Sequence, residues 1–92
     1  MDFKRNEELI WLEDETGKTV AHVEFPEAGP GVVNVAHTVV DPSMGGRGIA
    51  GQLMEELVKD LRETGRKAEL TCSYAVRWFG QHEECQDVLV KK

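Results

Sequence analysis

Apolar positions along this chain fall into short runs, and the spacing inside each run predicts what it forms. Residues 8–13 gather Leu9, Ile10, Trp11 and Leu12, a run of strand length. Asp14-Glu15-Thr16-Gly17-Lys18 breaks the run with polar residues around a glycine, which suits a hairpin turn. Residues 19–25 resume with Val20, Val23 and Phe25 as a second strand. Pro26-Glu27-Ala28-Gly29-Pro30-Gly31 reads as a further turn. Residues 32–40 then carry five valines. β-branched side chains suit a pleated, buried surface, so this is a third strand.

The period changes after Asp41-Pro42, where proline removes a ladder donor. Beyond the break, Ile49, Leu53, Leu57 and Leu61 recur every four residues, with Met54 and Val58 beside them. That is one apolar face of an amphipathic helix. Gly65 marks its stop, with Arg62 in the last turn. Residues 67–71 predict a short strand, 75–82 a second helix, and 88–90 a last strand or a docked tail. The order is β-β-β-α-β-α, an α+β or three-layer α/β architecture on one mostly antiparallel sheet. Residues 1–92 are expected to form a single domain. Trp11, Phe25, Trp78 and Phe79 are expected in its core.

Composition narrows the function. Hydrophobic residues make up 40% and charged residues 30% of the chain, a balance that folds. Eleven Lys and Arg against seventeen Asp and Glu leave a net charge of −6. Nucleic-acid affinity rests on neutralising phosphates, so this surface argues against it and leans toward a cationic partner. No apolar run is long enough to span a bilayer, so no membrane association is expected. The first residues, MDFKRNEEL, lack the apolar stretch of a secretion signal. A cytoplasmic location follows as the expectation, with Cys72 and Cys85 as free thiols. An exposed sheet edge could pair, so the chain is expected to be a monomer or a weak dimer.

Two features could carry chemistry. Ser43-Met44-Gly45-Gly46-Arg47-Gly48 joins the valine-rich strand to the first helix. Glycines allow close backbone approach and positive φ, and the first N–H groups of a helix lack partners, so the loop can hold a phosphate. The spacing alone equally fits a tight strand–helix turn. No Gly-Lys-Ser/Thr follows, which excludes a Walker loop. Gly46-Arg47-Gly48-Ile49-Ala50-Gly51 matches a dinucleotide string, but the chain lacks the further βαβ units that such a site needs. Cys72 is the second feature. Near a helix N-terminus its thiol would be acidified and nucleophilic; otherwise it is a small buried hydrophobe. His37 shares a face with Val33, Val35 and Val39 in a regular strand, as a base or as a structural histidine. His22 and His82 suggest no chemistry. The Cys and His spacings fit no zinc pattern, so no metal is expected.

The two features together resemble a known family. Val39-Val40-Asp41-Pro42 followed by Gly45-Gly46-Arg47-Gly48-Ile49-Ala50 is similar to the acetyl-CoA loop of the GNAT superfamily of N-acetyltransferases, Gln/Arg-x-x-Gly-x-Gly/Ala. The resemblance sharpens to a minimal subfamily that is little more than the CoA-binding core. Its motifs are matched by His37-Thr38-Val39-Val40, the loop, Cys72-Ser73-Tyr74-Ala75 and His82-Glu83-Glu84, in order, from about Leu9 to Leu89. The resemblance implies acetyl-CoA as cofactor and an amine as acceptor, either a small molecule or a protein. It implies that Val39 and Val40 hold the pantetheine arm, and that Gly45, Gly46, Arg47, Gly48, Ile49 and Ala50 hold the pyrophosphate, with Ser73 and Tyr74 also at the cofactor. It makes Cys72 the catalytic residue, through an acetyl-cysteine or by assisting direct transfer, and His37 the proton acceptor. The alternative it leaves is a CoA-binding or interaction module of the same fold without catalysis. Gly45 stands where the loop usually has Arg or Gln, so one polar side chain is missing there. Cys85 stands near a usual aromatic position.

Overall fold

The computed structural model describes residues 3–90. The strands are β1 (Phe3–Arg5), β2 (Leu9–Glu13), β3 (Thr19–Glu24), β4 (Glu27–Gly29), β5 (Val32–Val35), β6 (His37–Val40) and β7 (Lys67–Leu70). The helices are α1 (Ile49–Thr64) and α2 (Ser73–Gln81). Strands β1, β2, β3 and β6 pair antiparallel in that order. β5 lies between antiparallel β4 and parallel β7. The GNAT-like α+β expectation holds, with β1 and β4 added to it, but the strands form two sheets, of four and three strands, rather than one.

The run read as one strand over residues 32–40 is in fact two. β5 pairs with β7 and β6 pairs with β3, and the change of partner falls at Ala36. Ala36 donates its N–H to Glu24 O at 3.0 Å, while His37 sits opposite the same Glu24 in register. Two residues against one is a β-bulge, which bends the strand and shifts its alternation by one. Val33 and Val35 are therefore buried, whereas beyond the bulge Thr38 and Val40 turn inward and His37 and Val39 are exposed. His37 does not share a face with Val33 and Val35. Past the bulge, β6 pairs with β3 and not with β7, which leaves a split between the two sheets.

Helix α1 packs against β2, β3 and β6. Its buried residues Ile49, Leu53, Met54, Leu57, Val58 and Leu61 meet Ile10, Leu12, Val20, Ala21 and Val23 in one hydrophobic cluster. At its C-terminus Gly65 takes φ 74°, the left-handed stop that glycine adopts without strain. Lys59 pairs with Glu56 at 3.5 Å. Asp60 is 8% exposed and accepts a 2.8 Å bond from Arg66, whose guanidinium lies 5.7 Å from the centre of the Phe25 ring. That pair closes the end of the core where α1 turns into β7.

Helix α2 brings Ala75, Trp78 and Phe79 into the same cluster. After it, Glu83–Val88 winds as a 3₁₀ helix. The tail then docks, with Leu89 bridging Ala68 and Val90 donating to Ala68 O at 3.0 Å. Trp11 departs from expectation: it lies with Leu9 on the sheet face away from α1, half-exposed. Cys72 and Cys85 are free thiols. Among the described residues no helix is long and apolar enough to cross a membrane.

Candidate active site

The split in the sheet, the glycine loop and Cys72 meet at one end of the molecule. Pairing fixes which backbone groups face the split. Asp41 donates to Val20 O at 2.7 Å, so the ladder between β3 and β6 alternates from that bond. His22 and Val39 then exchange hydrogen bonds, while Thr38 and Val40 turn their N–H and C=O toward the free edge. Val40 thus turns its backbone groups to the free edge. Val39 commits its backbone to His22, leaving only an exposed side chain. Thr38, which sequence reasoning passed over, faces the free edge as Val40 does.

The loop begins at Pro42–Met44, a single 3₁₀ turn capped by Asp41, whose carboxylate accepts the Ser43 N–H at 2.9 Å. Gly45 has an ordinary extended backbone, but a Cβ there would lie 3.3 Å from Pro42 O. A side chain at 45 would need the Pro42 carbonyl to give by a few tenths of an ångström. Gly46 and Gly48 take φ 78° and 69°, and a Cβ on either would meet nothing within 4 Å. The chain is bent by these glycines into a cradle that opens outward. Gly48 is the N-cap of α1, with no capping side chain and no acid in the first turn. The first helical bond comes from Gln52 to Gly48 O. The N–H groups of Ile49, Ala50 and Gly51 therefore lack intrahelical partners, and the helix dipole adds partial positive charge. Arg47 is exposed beside them. This donor set fits a diphosphate.

Cys72 is the N-cap of α2 and 9% exposed. Its Sγ lies 3.5 Å from Thr38 Oγ1 across the split. Its own N–H and that of Thr71 both bond Val35 O, which fixes the turn. Burial pushes the thiol up, but the Thr38 hydroxyl and the N–H groups of Ala75, Tyr74 and Thr38 favour the thiolate and bring it, net, below the ordinary thiol value. The cause is the one that acidifies cysteines at helix N-termini. Burial raises Tyr74, which keeps its phenol protonated at neutral pH. A Cβ on Gly51 would lie 3.8 Å from the Tyr74 hydroxyl and 3.7 Å from Trp78 Nε1, so α2 packs closely on the first turn of α1. Ser73 is exposed in the first turn of α2. His37 is not brought to the thiol: it alternates with Thr38 and stands on the outer face opposite Glu24.

Thr38→Val tests the thiol's surroundings. Losing a hydrogen bond to a charged sulfur costs about 1.5–3 kcal/mol. Alkylation of Cys72 by iodoacetamide at neutral pH should slow by about tenfold, with its pH midpoint moving up. An unchanged midpoint would show that Thr38 does not favour the thiolate. Cys85, raised by burial, then by Glu84, serves as the slow internal reference.

The site is thus a sheet split beside a glycine-lined helix N-terminus, with a thiol at its edge. The chain belongs to the GCN5-related N-acetyltransferases, whose family model matches residues 9–88. It superposes on the solution structure of a GCN5-like protein from Staphylococcus aureus with a TM-score of 0.79 at 24% identity, covering 99% of this chain and 89% of that one. A Mycobacterium tuberculosis protein solved with CoA gives 0.65 at 21% identity, over 84% of this chain and 48% of that one. The ribosomal-protein-S18-alanine N-acetyltransferase of Escherichia coli gives 0.65 at 19%, over 85% and 54%. In sequence, the chain is 44% identical over 62 residues to a chloroplastic serotonin N-acetyltransferase of rice, 63% of this chain but only 31% of that protein. The chain thus spans about a third of the curated relative it matches.

Proposed function

We propose that this chain is an acetyl-CoA-dependent N-acetyltransferase that acts through Cys72. The observation that carries the reading is the acidified thiol at the N-cap of α2, 3.5 Å from Thr38 across the split. The N–H groups of Ile49, Ala50 and Gly51, with Arg47, hold the diphosphate. The free edge of Thr38 and Val40 aligns the pantetheine arm, and acetyl-CoA supplies an activated thioester. The Cys72 thiolate bonds to the acetyl carbon as the bond from that carbon to the CoA sulfur breaks. Tyr74, kept protonated by burial, gives the departing sulfur its proton. His37, on the outer face, takes a proton from the incoming ammonium. The neutral amine then attacks the acetyl-cysteine carbonyl, Cys72 leaves again as thiolate, and the nitrogen's second proton returns the Tyr74 phenolate to its phenol, while His37 passes the first to water. The cycle needs a free thiol, which fits a reducing compartment such as the cytoplasm.

Mass spectrometry of protein quenched after mixing with acetyl-CoA alone tests this. One acetyl group on the Cys72 peptide, discharged when a primary amine is added, is the expected result. Turnover without the adduct would replace the acetyl-cysteine by direct transfer. Acetyl-CoA binding without turnover over a broad panel of amines would leave a CoA-binding module. No binding at all would overturn the reading.

A further inference from the structure

Most cations on this chain are already committed. Among the described residues, Lys4, Arg5, Lys18, Lys59, Arg62 and Arg66 each pair with a carboxylate, and Lys67 donates to Asp87 O at 2.6 Å. Arg47 and Arg77 make neither an ion pair nor a side-chain hydrogen bond among these residues, and both are exposed. Arg47 already belongs to the diphosphate cradle. Arg77, on α2, has no task in the site as described.

The distribution of acids sets both arginines apart. The chain holds seventeen Asp and Glu, yet none falls in residues 28–40, 42–54 or 70–82. Those stretches include β5 and β6, the glycine loop with the start of α1, and the turn at Cys72 with α2. They are the elements around the split and the cradle. Asp41 stands between the first two, and its carboxylate is occupied by the Ser43 N–H and Lys18. In a chain of net charge −6, an anionic ligand at this end meets two arginines with no acid on their own elements to neutralise them.

Arg77 lies toward the diphosphate end of the site rather than at the thiol. A Cβ on Gly51, in the first turn of α1, would lie 3.8 Å from the Tyr74 hydroxyl and 3.7 Å from Trp78 Nε1. The start of α1 is therefore alongside residues 74–78 of α2. Arg77 follows Tyr74 by three residues, which makes the two neighbours on the helix surface. It stands five residues past the N-cap Cys72, about 7.5 Å along the axis. Its charge reaches the cradle side: burial raises the Tyr74 phenol, and the Arg77 guanidinium pulls it partly back.

The N–H groups of Ile49, Ala50 and Gly51, with Arg47, account for the diphosphate. CoA carries one further phosphate, on the 3′ oxygen of its ribose, beyond the diphosphate and away from the thioester. A phosphate monoester is close to doubly charged at neutral pH, and a guanidinium matches its oxygens with two parallel hydrogen bonds. We propose that Arg77 binds the 3′-phosphate of CoA, and that it is the residue by which this chain selects the 3′-phosphorylated cofactor over its 3′-dephospho form. The assignment rests on the acetyl-CoA reading and adds to it a specificity-determining side chain on α2.

Calorimetric titration of the full chain with CoA and with 3′-dephospho-CoA provides the test. CoA should bind at least about tenfold more tightly, the worth of one charge-assisted pair. Arg77→Gln removes the charge and keeps a good helix former. It should abolish the preference by weakening CoA alone, with the affinity for 3′-dephospho-CoA unchanged. Its melting temperature should not move, because no ion pair is lost. Arg47→Gln should weaken both ligands alike, since both carry the diphosphate. Equal affinity for the two ligands in the parent, or a preference that survives Arg77→Gln, would overturn the proposal and leave the acetyl-CoA reading in place. A preference abolished by Arg47→Gln would give the 3′-phosphate to the loop instead of α2 and overturn it too. Binding of neither ligand would overturn the acetyl-CoA reading together with the proposal.

Discussion

Cys72→Ala is expected to lower acetyl transfer at saturating acetyl-CoA by about a thousandfold, the scale on which a positioned nucleophile or acid–base group acts. The site is buried, 9% exposed, but the substitution removes a single sulfur atom, so the loss of packing is small. The diphosphate cradle lies on a different element, at the start of α1. Affinity for acetyl-CoA should therefore change by less than about threefold, well under 1 kcal/mol. A loss confined to kcat is the signature of a group that acts on the reacting atoms. Stopped-flow thiol release, with calorimetric titration of acetyl-CoA alongside, reads the two quantities separately. A fall of less than about tenfold would demote Cys72 from nucleophile to a group that orients the thioester. The direct-transfer reading would then stand with His37 as proton acceptor. Cys72→Ser sharpens the result: its hydroxyl keeps the shape and the hydrogen bond to Thr38 but is a far weaker nucleophile at neutral pH. Activity in the serine variant close to that of the parent would argue against covalent catalysis.

Much of this site was legible before any coordinates, and the reasons are physical. The four-residue recurrence from Ile49 to Leu61 and the glycine at 65 mark α1 at both ends, because a buried helix face and a left-handed stop leave residue-type signatures. Cys72-Ser73-Tyr74 after a short strand put a thiol at a helix N-terminus, which is where it lies. The bulge left no such mark. Ala36 is an unremarkable residue inside a valine run, and a run apolar on nearly every position hides a shift in alternation. What depends on the shift could not be read: His37 stands on the face opposite Val33 and Val35, and it is the Thr38 backbone, not that of Val39, that faces the free edge. Trp11 failed for the same reason. Four consecutive apolar residues, Leu9 to Leu12, do not say which two face α1. β1 was missed because Phe3 is its sole apolar residue, and β4 because a proline- and glycine-rich segment reads as a turn even where it pairs with β5. Burial and partner choice, rather than local preference, decided these elements.

Gly48→Val separates the cost of the loop to the protein from its worth to the ligand. Gly48 holds φ 69° as the N-cap of α1. A β-branched residue in that left-handed region is strained by about 1–3 kcal/mol. No atom lies within 4 Å of the Cβ position, so there is no clash to add. The folded chain should survive, with its melting temperature lowered by roughly 4–8 °C per kcal/mol for a domain of this size. Acetyl-CoA affinity should fall by at least about a hundredfold, near 2.7 kcal/mol. The same open space that spares the apoprotein is where the diphosphate must approach the N–H groups of Ile49, Ala50 and Gly51, and two methyl groups would fill it. Gly17→Val supplies the control. Gly17 also has positive φ, at 86°, and open space around it, but it sits in the β2–β3 turn. It should cost similar stability and leave affinity intact. If both variants melt alike and bind acetyl-CoA alike, the cradle is only a turn. If Gly48→Val alone loses the ligand, the left-handed glycine is there for close approach of phosphate, and the missing Arg or Gln at position 45 is compensated by backbone donors and Arg47.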